Sequence, residues 1–318
     1  MDRRRLILQI ALAATAVVST ITGSSLRAEP QHEVRVGYQK NGILVIARQQ
    51  GILDRRLAKE HATVKWVEFS SGPPLLEALG AGSIDIGQTG DAPPIFAQAA
   101  GANLVYVAGQ SITNGQGILV KANSPIHTLA DLKGKRIAFT KGSSAHTVIL
   151  LALEKAGLKY SDITPVYLSP PDGAAAFGND SVDAWAVWDP FFAVGEVKYS
   201  GRILAKPSEL AKTNSFYLAN KTFAADNSAL LRETLDGLSE TASWADEHRA
   251  DVAKSLAAVT GLDLKIQTLA ANRSTFVVGK VSSEIIASQQ HLADRYFELG
   301  LIPKPIVVND AIWNAPQS

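Results

Sequence analysis

The sequence predicts an α/β protein made of two similar lobes and a helical tail. Three observations predict it. From Val34 onward, short apolar strands alternate with helical runs, the pattern of a mainly parallel sheet flanked by helices. Two pairs of segments recur in the same order at nearly the same spacing. Beyond about Asn220 the strand signal stops and a leucine-rich helical period takes over.

The elements follow in order. Residues 34–39 alternate as a strand, and a helix from about Gly42 to Gln50 closes at Gly51. Residues 64–69 form the next strand. Pro73 and Pro74 then open a helix, where a missing N–H costs nothing. Residues 84–89 are a third strand, with Ala92, Pro93 and Pro94 opening another helix. Residues 136–139 read as a buried strand, and an apolar run from Thr147 reads as a helix ending at Gly157. Residues 227–258 have a helical period with Leu230, Leu231, Leu235 and Leu238 on one side. Further helices run to Leu299, with Gly300 as the stop, and the tail is expected to pack on the first lobe.

The repeat is specific. Residues 78–91 align without a gap on 176–189, at a spacing of 98, so that Asp85 matches Asp183 and Asp91 matches Asp189. Residues 35–40 align on 136–141 at a spacing of 101, with Arg35 on Arg136 and Lys40 on Lys141. The expected lobes are residues 32–116 with 219–318, and residues 117–218.

In open α/β sheets, ligands bind at the carboxyl ends of strands. Four such ends stand out: Gln39; Thr89, Gly90 and Asp91; the turn from Thr140 through Gly142, Ser143 and Ser144; and Trp188 with Asp189. Two facing lobes would point them all into one cleft. A helix start offers unpaired N–H groups and partial positive charge, so the turn before residue 147 suits an anion. It lacks the lysine and threonine of a P-loop. Ser143 and Asp91 fit equally well as caps of their own helices, and the sequence leaves both roles open. Trp188 serves as core or as a ligand platform, and His146, one turn into its helix, as a surface or capping histidine.

The hydrophobic fraction of 46% excludes a disordered chain. Arg3, Arg4 and Arg5 precede an apolar stretch to about Ile21, which reads as a secretory signal (residues 1–28) cut after Ala28, or else after Ser25. The same arginines also fit a twin-arginine signal. Removing residues 1–28 takes four of the 31 basic and one of the 30 acidic residues, leaving a net charge of −2. That argues against a nucleic-acid partner. There is no cysteine, hence no disulfide, no lipid-modified cysteine and no thiol nucleophile. The six histidines, at 32, 61, 127, 146, 248 and 291, have no metal spacing. No cofactor or metal is expected.

Several stretches together resemble the aliphatic-sulfonate-binding receptors of ABC importers, within the wider sulfonate, taurine and nitrate group. They are residues 37–40 (GYQK), 89–102 (TGDAPPIFAQAAGA), 139–146 (FTKGSSAH), 182–190 (VDAWAVWDP) and 215–219 (SFYLA), with shorter matches between them over most of 34–220. The resemblance implies a type II periplasmic-binding-protein fold and a monomeric periplasmic receptor that closes on a small organic sulfonate and delivers it to permease subunits. It implies a site lined by Gln39, Thr89, Gly90, Asp91, Gly142, Ser143, Ser144, His146, Trp188 and Asp189. An arginine expected near Ala174 is absent, and residues 110–116 depart from the usual crossing region. Taurine or nitrate is the alternative ligand. The rival of another class is an enzyme on the same fold, such as one making a thiamine precursor. For that role Asp91 and Asp189 could pair, although each sits where a helix cap is expected.

Overall fold

The computed structural model describes residues 32–112 and 114–314; the expected signal at 1–28 lies outside them. The first half of the chain runs β1 (His32–Tyr38), α1 (Gly42–Gln50), α2 (Ile52–Lys59), β2 (Ala62–Glu68), α3 (Gly72–Gly80), β3 (Ile86–Gly90), α4 (Ala92–Ala99) and β4 (Leu104–Ile112). It crosses to β5 (Gln116–Lys121), β6 (Arg136–Phe139), α5 (Ser144–Lys155), β7 (Thr164–Tyr167), α6 (Pro170–Gly178), β8 (Ala184–Trp188), α7 (Phe191–Lys198), β9 (Gly201–Ala205) and α8 (Pro207–Leu210). It returns through β10 (Thr213–Asn220) and ends in α9 (Lys221–Asp226), α10 (Ser228–Glu247), α11 (Arg249–Thr260), α12 (Leu264–Arg273) and α13 (Ser283–Glu298).

The strands form two five-stranded sheets, β2-β1-β3-β10-β4 and β7-β6-β8-β5-β9. In each, three strands pair in parallel, and one strand from a crossing segment, β10 or β5, pairs antiparallel with both of its neighbours. The expected lobe boundary at 218/219 is corrected. β10 pairs along its whole length with β3 and β4, so the return crossing lies before Thr213. Strand pairing set this boundary, and the sequence period of the tail could not report it.

The internal repeat is visible in the fold. α3 and β3 correspond to α6 and β8 at the aligned spacing. Both halves share one ion pair. Arg35 donates its main-chain N–H and its guanidinium to Asp85, and Arg136 does the same to Asp183. Each pair ties a central strand, at mid-strand in β1 and at the start of β6, to the residue that precedes its neighbour. Each guanidinium also donates to a main-chain oxygen of the preceding turn, at Gly82 or Asp180.

Each sheet is packed on both faces. Val34, Val36 and Ile86 face α1, α2 and α10, while Leu75, Ile95 and Phe216 pack towards α13. In the second sheet Ile118, Ile137 and Val148 form one core and Leu119, Phe177 and Trp185 the other. Residues 227–258 are not one helix: the chain breaks at His248 between α10 and α11. Nor does the whole tail pack on the first lobe. Ile266 of α12 is fully buried with Ala193 and Val194 of α7 in the second.

Candidate functional site

Several helices begin along the line where the two sheets face each other, and their first turns differ. A helix leaves its first N–H groups without an intrahelical partner. In α4 the Asp91 side chain accepts from Ala92 N at 2.8 Å, and in α7 the Asp189 side chain accepts from Ala193 N at 2.9 Å. Those starts are satisfied from within. In α1, α3 and α5 no side chain caps the first turn. The uncapped starts line a cavity of about 140 Å³ through Asn41, Gly42 and Ile43, through Gly72, and through Ser143 and Ser144.

The rest of the wall comes from strand ends, the crossing segments and the tail. Gln39, Gln88, Thr89 and Gly90 come from the first sheet's strand ends. Gln110, Asn114, Gly115, Gln116 and Ser215 form the crossing floor. Trp188, Asp189 and Pro190 come from the second sheet, and Gln267, Ala270, Ser274, Thr275 and Phe276 from the tail. The amides are held in place: Gln39 Nε2 donates to Gln88 O at 3.3 Å, Gln88 Nε2 to Ser215 Oγ at 3.3 Å, and Gln116 Nε2 to Thr213 Oγ1 at 3.1 Å. Each keeps a second N–H. No lysine or arginine is among the described lining residues, and Asp189 is the one carboxylate among them.

The cavity thus brings together Gln39, Thr89, Gly90, Ser143, Ser144, Trp188 and Asp189 of the sequence-predicted set. Three others lie elsewhere. Asp91 is 1% exposed; besides capping α4 it accepts from Thr147 Oγ1 at 2.8 Å, and burial pushes its carboxyl up to about 7. Gly142 turns its N–H to His146 Nδ1, at 3.2 Å, and its left-handed backbone, φ +71°, is what demands glycine there. His146 is fully buried among Phe96, Phe139, Tyr160 and Tyr296. Burial, with Lys141 nearby, pushes its imidazole down to about 3, so it stays neutral and structural.

Two further predicted residues face the cavity with restricted chemistry. Ser143 Oγ donates to Thr140 O at 2.7 Å, which closes the turn and leaves the oxygen only as an acceptor. Asp189 spends Oδ1 on the α7 cap, and burial pushes its carboxyl up to about 7 against the pull of Arg273. Its main-chain oxygen accepts from Asn41 Nδ2, at 3.2 Å, across the cleft. The position of the absent arginine, Ala174, is buried in α6, and α6 adds no described residue to the cavity.

Sequence reasoning missed the α1 start, the crossing floor and the tail's contribution. The first had a signal: Asn41 before Gly42 and an apolar run is an N-cap pattern. The tail had none, because its lining residues face the cavity through tertiary packing alone.

This arrangement is chemically able to hold an anion without a cation. Neutral N–H and O–H donors at two helix starts, one from each lobe, converge on a space backed by Ile43, Pro93, Trp188, Leu256 and Phe276. Hydrogen bonds to a charged acceptor contribute about 1.5–3 kcal/mol each.

Comparison with known proteins agrees with this architecture. The family described as NMT1/THI5 like matches residues 60–251. A protein of Escherichia coli (strain K12) named as an aliphatic sulfonates-binding protein is 42% identical over 317 residues, 98% of each chain. The crystal structure of the periplasmic aliphatic sulphonate binding protein SsuA from Escherichia coli superposes with a TM-score of 0.82, at 42% identity, over 90% of this chain and 94% of that one. The alkanesulfonate-binding protein SsuA from Xanthomonas axonopodis pv. citri, bound to MOPS, superposes with a TM-score of 0.84, at 41% identity, over 88% of this chain and 98% of that one. The fold is therefore the two-lobed α/β fold of these periplasmic binding proteins, and the chain belongs to the NMT1/THI5-like family, within the group that holds the SsuA proteins.

Proposed function

We propose that this protein is the substrate-binding component of an ABC importer and captures organic sulfonates, aliphatic ones first. One observation carries the reading: of the three uncapped helix starts at the cavity, the two not opened by prolines, at Asn41 and Ser143, face a single space that has an apolar wall and no cationic side chain. A sulfonate stays ionised at every physiological pH and only accepts hydrogen bonds, so neutral donors suffice for its head. Its organic tail needs the apolar wall that Trp188 and Phe276 supply. Nitrate and sulfate have no tail to use that wall.

In this reading Gln39, Asn41, Ser144 and the first amides of α1 and α5 hold the head. Gly90 lets the lobes close, and Trp188 and the tail bound the organic part. The protein is a receptor and not an enzyme, as the names of its relatives support. Among the described residues no group of His, Cys, Asp or Glu is placed to hold a metal ion. The partners are permease subunits of the inner membrane. The location is the periplasm, reached by cleavage after Ala28 and without a lipid anchor, and the protein works as a monomer.

The test is a thermal-shift panel of alkanesulfonates, taurine, MOPS, nitrate and sulfate, followed by calorimetry. At a hundred times its dissociation constant a ligand adds about 2.7 kcal/mol. The unfolding entropy of a chain this size is about 0.6 kcal/mol/K, so the melting temperature rises by roughly 4–5 °C. Sulfonates should shift it; a shift with nitrate alone overturns the reading.

A further inference from the structure

Helix α12 lies between the lobes and is tied to both. On the first-lobe side, Arg249 at the start of α11 donates from Nη1 to the main-chain oxygens of Ala271, at 2.6 Å, and Ser274, at 3.0 Å. Its guanidinium lies 5.0 Å from the centre of the Phe276 ring. Ala271 and Phe276 belong to the first lobe's core. On the second-lobe side, Ile266 is buried against Ala193 and Val194 of α7. Arg273, in the last turn of α12, reaches the same helix: Nη2 is 2.6 Å from Glu196 Oε2, and Nη1 is 3.8 Å from Asp189 Oδ1. Its guanidinium lies 5.1 Å from the centre of the Phe192 ring.

Arg273 does not itself line the cavity, but Ala270, Ser274 and Thr275 around it do. One arginine thus fastens the end of α12 to the first lobe and the other fastens it to the second. The segment between them is a wall of the binding space.

We propose that Arg273 is a positioning residue for ligand binding: it latches α12, and the cavity wall that α12 carries, onto the second lobe. A ligand held between the lobes leaves when they separate. Separation takes Arg273 from Glu196 and Asp189, and Ile266 from its apolar bed. The side chains of Arg273 and Glu196 are each only 20% exposed, and that of Asp189 is 9% exposed, so water compensates the break poorly. It also leaves two neighbouring carboxylates without the guanidinium between them. A planar guanidinium suits this bridging position better than an ammonium would. Loss of one partner from such a pair acts mainly on dissociation.

The inference rests on the organosulfonate reading only for its choice of ligand. Stopped-flow binding of 1-butanesulfonate to the purified protein provides the test. Arg273→Ala and Glu196→Ala should each raise the dissociation rate about tenfold and change the association rate less than about twofold. Arg273→Lys should recover part of the loss, and Arg273→Glu combined with Glu196→Arg more of it than either reversal alone. A lower melting temperature with an unchanged dissociation rate would make Arg273 merely structural and overturn the latch. Hydrogen exchange on the ligand-free protein gives a second readout. Amides of residues 264–276 should exchange faster in Arg273→Ala, and equal exchange overturns the latch. Wild-type protein that binds no 1-butanesulfonate or MOPS overturns the ligand class instead, while exchange still decides the latch.

Discussion

Gly90 and Ser144 meet across the cleft: a Cβ built on Gly90 would stand 2.6 Å from the Cβ of Ser144. Gly90 ends β3 in the first sheet, and Ser144 opens α5 beside the second. Glycine at this point lets the donor-bearing helix start come up against the opposite lobe. The backbone of Gly90 lies outside the left-handed region, so alanine fits it without strain. Gly90→Ala should therefore hold the lobes apart and weaken sulfonate binding by about 1–3 kcal/mol, the usual cost of forcing a methyl into a packed contact. Stability should change much less. Calorimetry and denaturant melts on the same protein check this; equal affinity in the variant would show that closure does not need the contact.

The two serines of the α5 start should behave differently. Ser143 Oγ is committed to Thr140 O, whereas Ser144, half-buried in the cavity wall, makes no comparable turn bond. Ser143→Ala should cost about 0.5–1.5 kcal/mol of stability and little affinity. Ser144→Ala should cost affinity, about 0.5–1.5 kcal/mol and up to 3 if the bond to the anion is charge-assisted, with stability kept. Titrations and melts of both variants decide it, and the reverse pattern would place the anion against Ser143.

The strand ends were legible because each ends an apolar run at small or polar residues before a helix. Gln39, Gly90, Ser144 and Trp188, which line the cavity, all carry that pattern. What the pattern could not do was separate a cap from a ligand donor. Asp91 and Ser143 sit at equivalent sequence positions, a polar residue before a helix. Only packing reveals that Asp91 caps α4 beneath the surface while the α5 start stays open. His146 was placed in the site by its neighbours in the motif. Its burial comes from Tyr296, far along the chain, which no local pattern reports. The return of β10 into the first sheet is likewise a matter of strand pairing between distant segments.

Asp91 gives a pH signature. Its carboxyl is wholly buried and is pushed up to about 7 from 3.8, with burial outweighing the hydrogen bonds from Thr147 and Ala92. The folded chain thus binds this proton more tightly than the unfolded chain does. Its contribution to stability is complete below about pH 4 and is lost as pH rises to about 7. Asp91→Asn keeps an acceptor for Thr147 and cannot titrate. Measured against that variant, the wild type should lose of order 2–4 kcal/mol of stability between pH 4 and pH 7. Denaturant midpoints at several pH values test the difference, in which the other titrating groups cancel. A difference that grows in favour of the wild type with rising pH would mean that Asp91 is ionised and paired.

Trp188 has two attachments, and one variant can separate them. It ends β8, half-buried, packs against both cores of the second lobe and lines the cavity. Trp188→Ala will cost stability through the cores, so a single affinity would be ambiguous. The ratio of two affinities within the same variant is not, because changes common to both ligands cancel. Methanesulfonate presents the same head as 1-butanesulfonate and almost no tail. If the indole is the wall against which the tail packs, truncation should weaken 1-butanesulfonate more. Burial of a large side chain against a ligand contributes about 1.5–3 kcal/mol, so the ratio of dissociation constants should rise roughly ten- to hundredfold. Calorimetric titration of both ligands into wild type and variant measures it. Equal loss for the two would assign Trp188 to the cores and leave the tail to Phe276, Leu256 and Ile43.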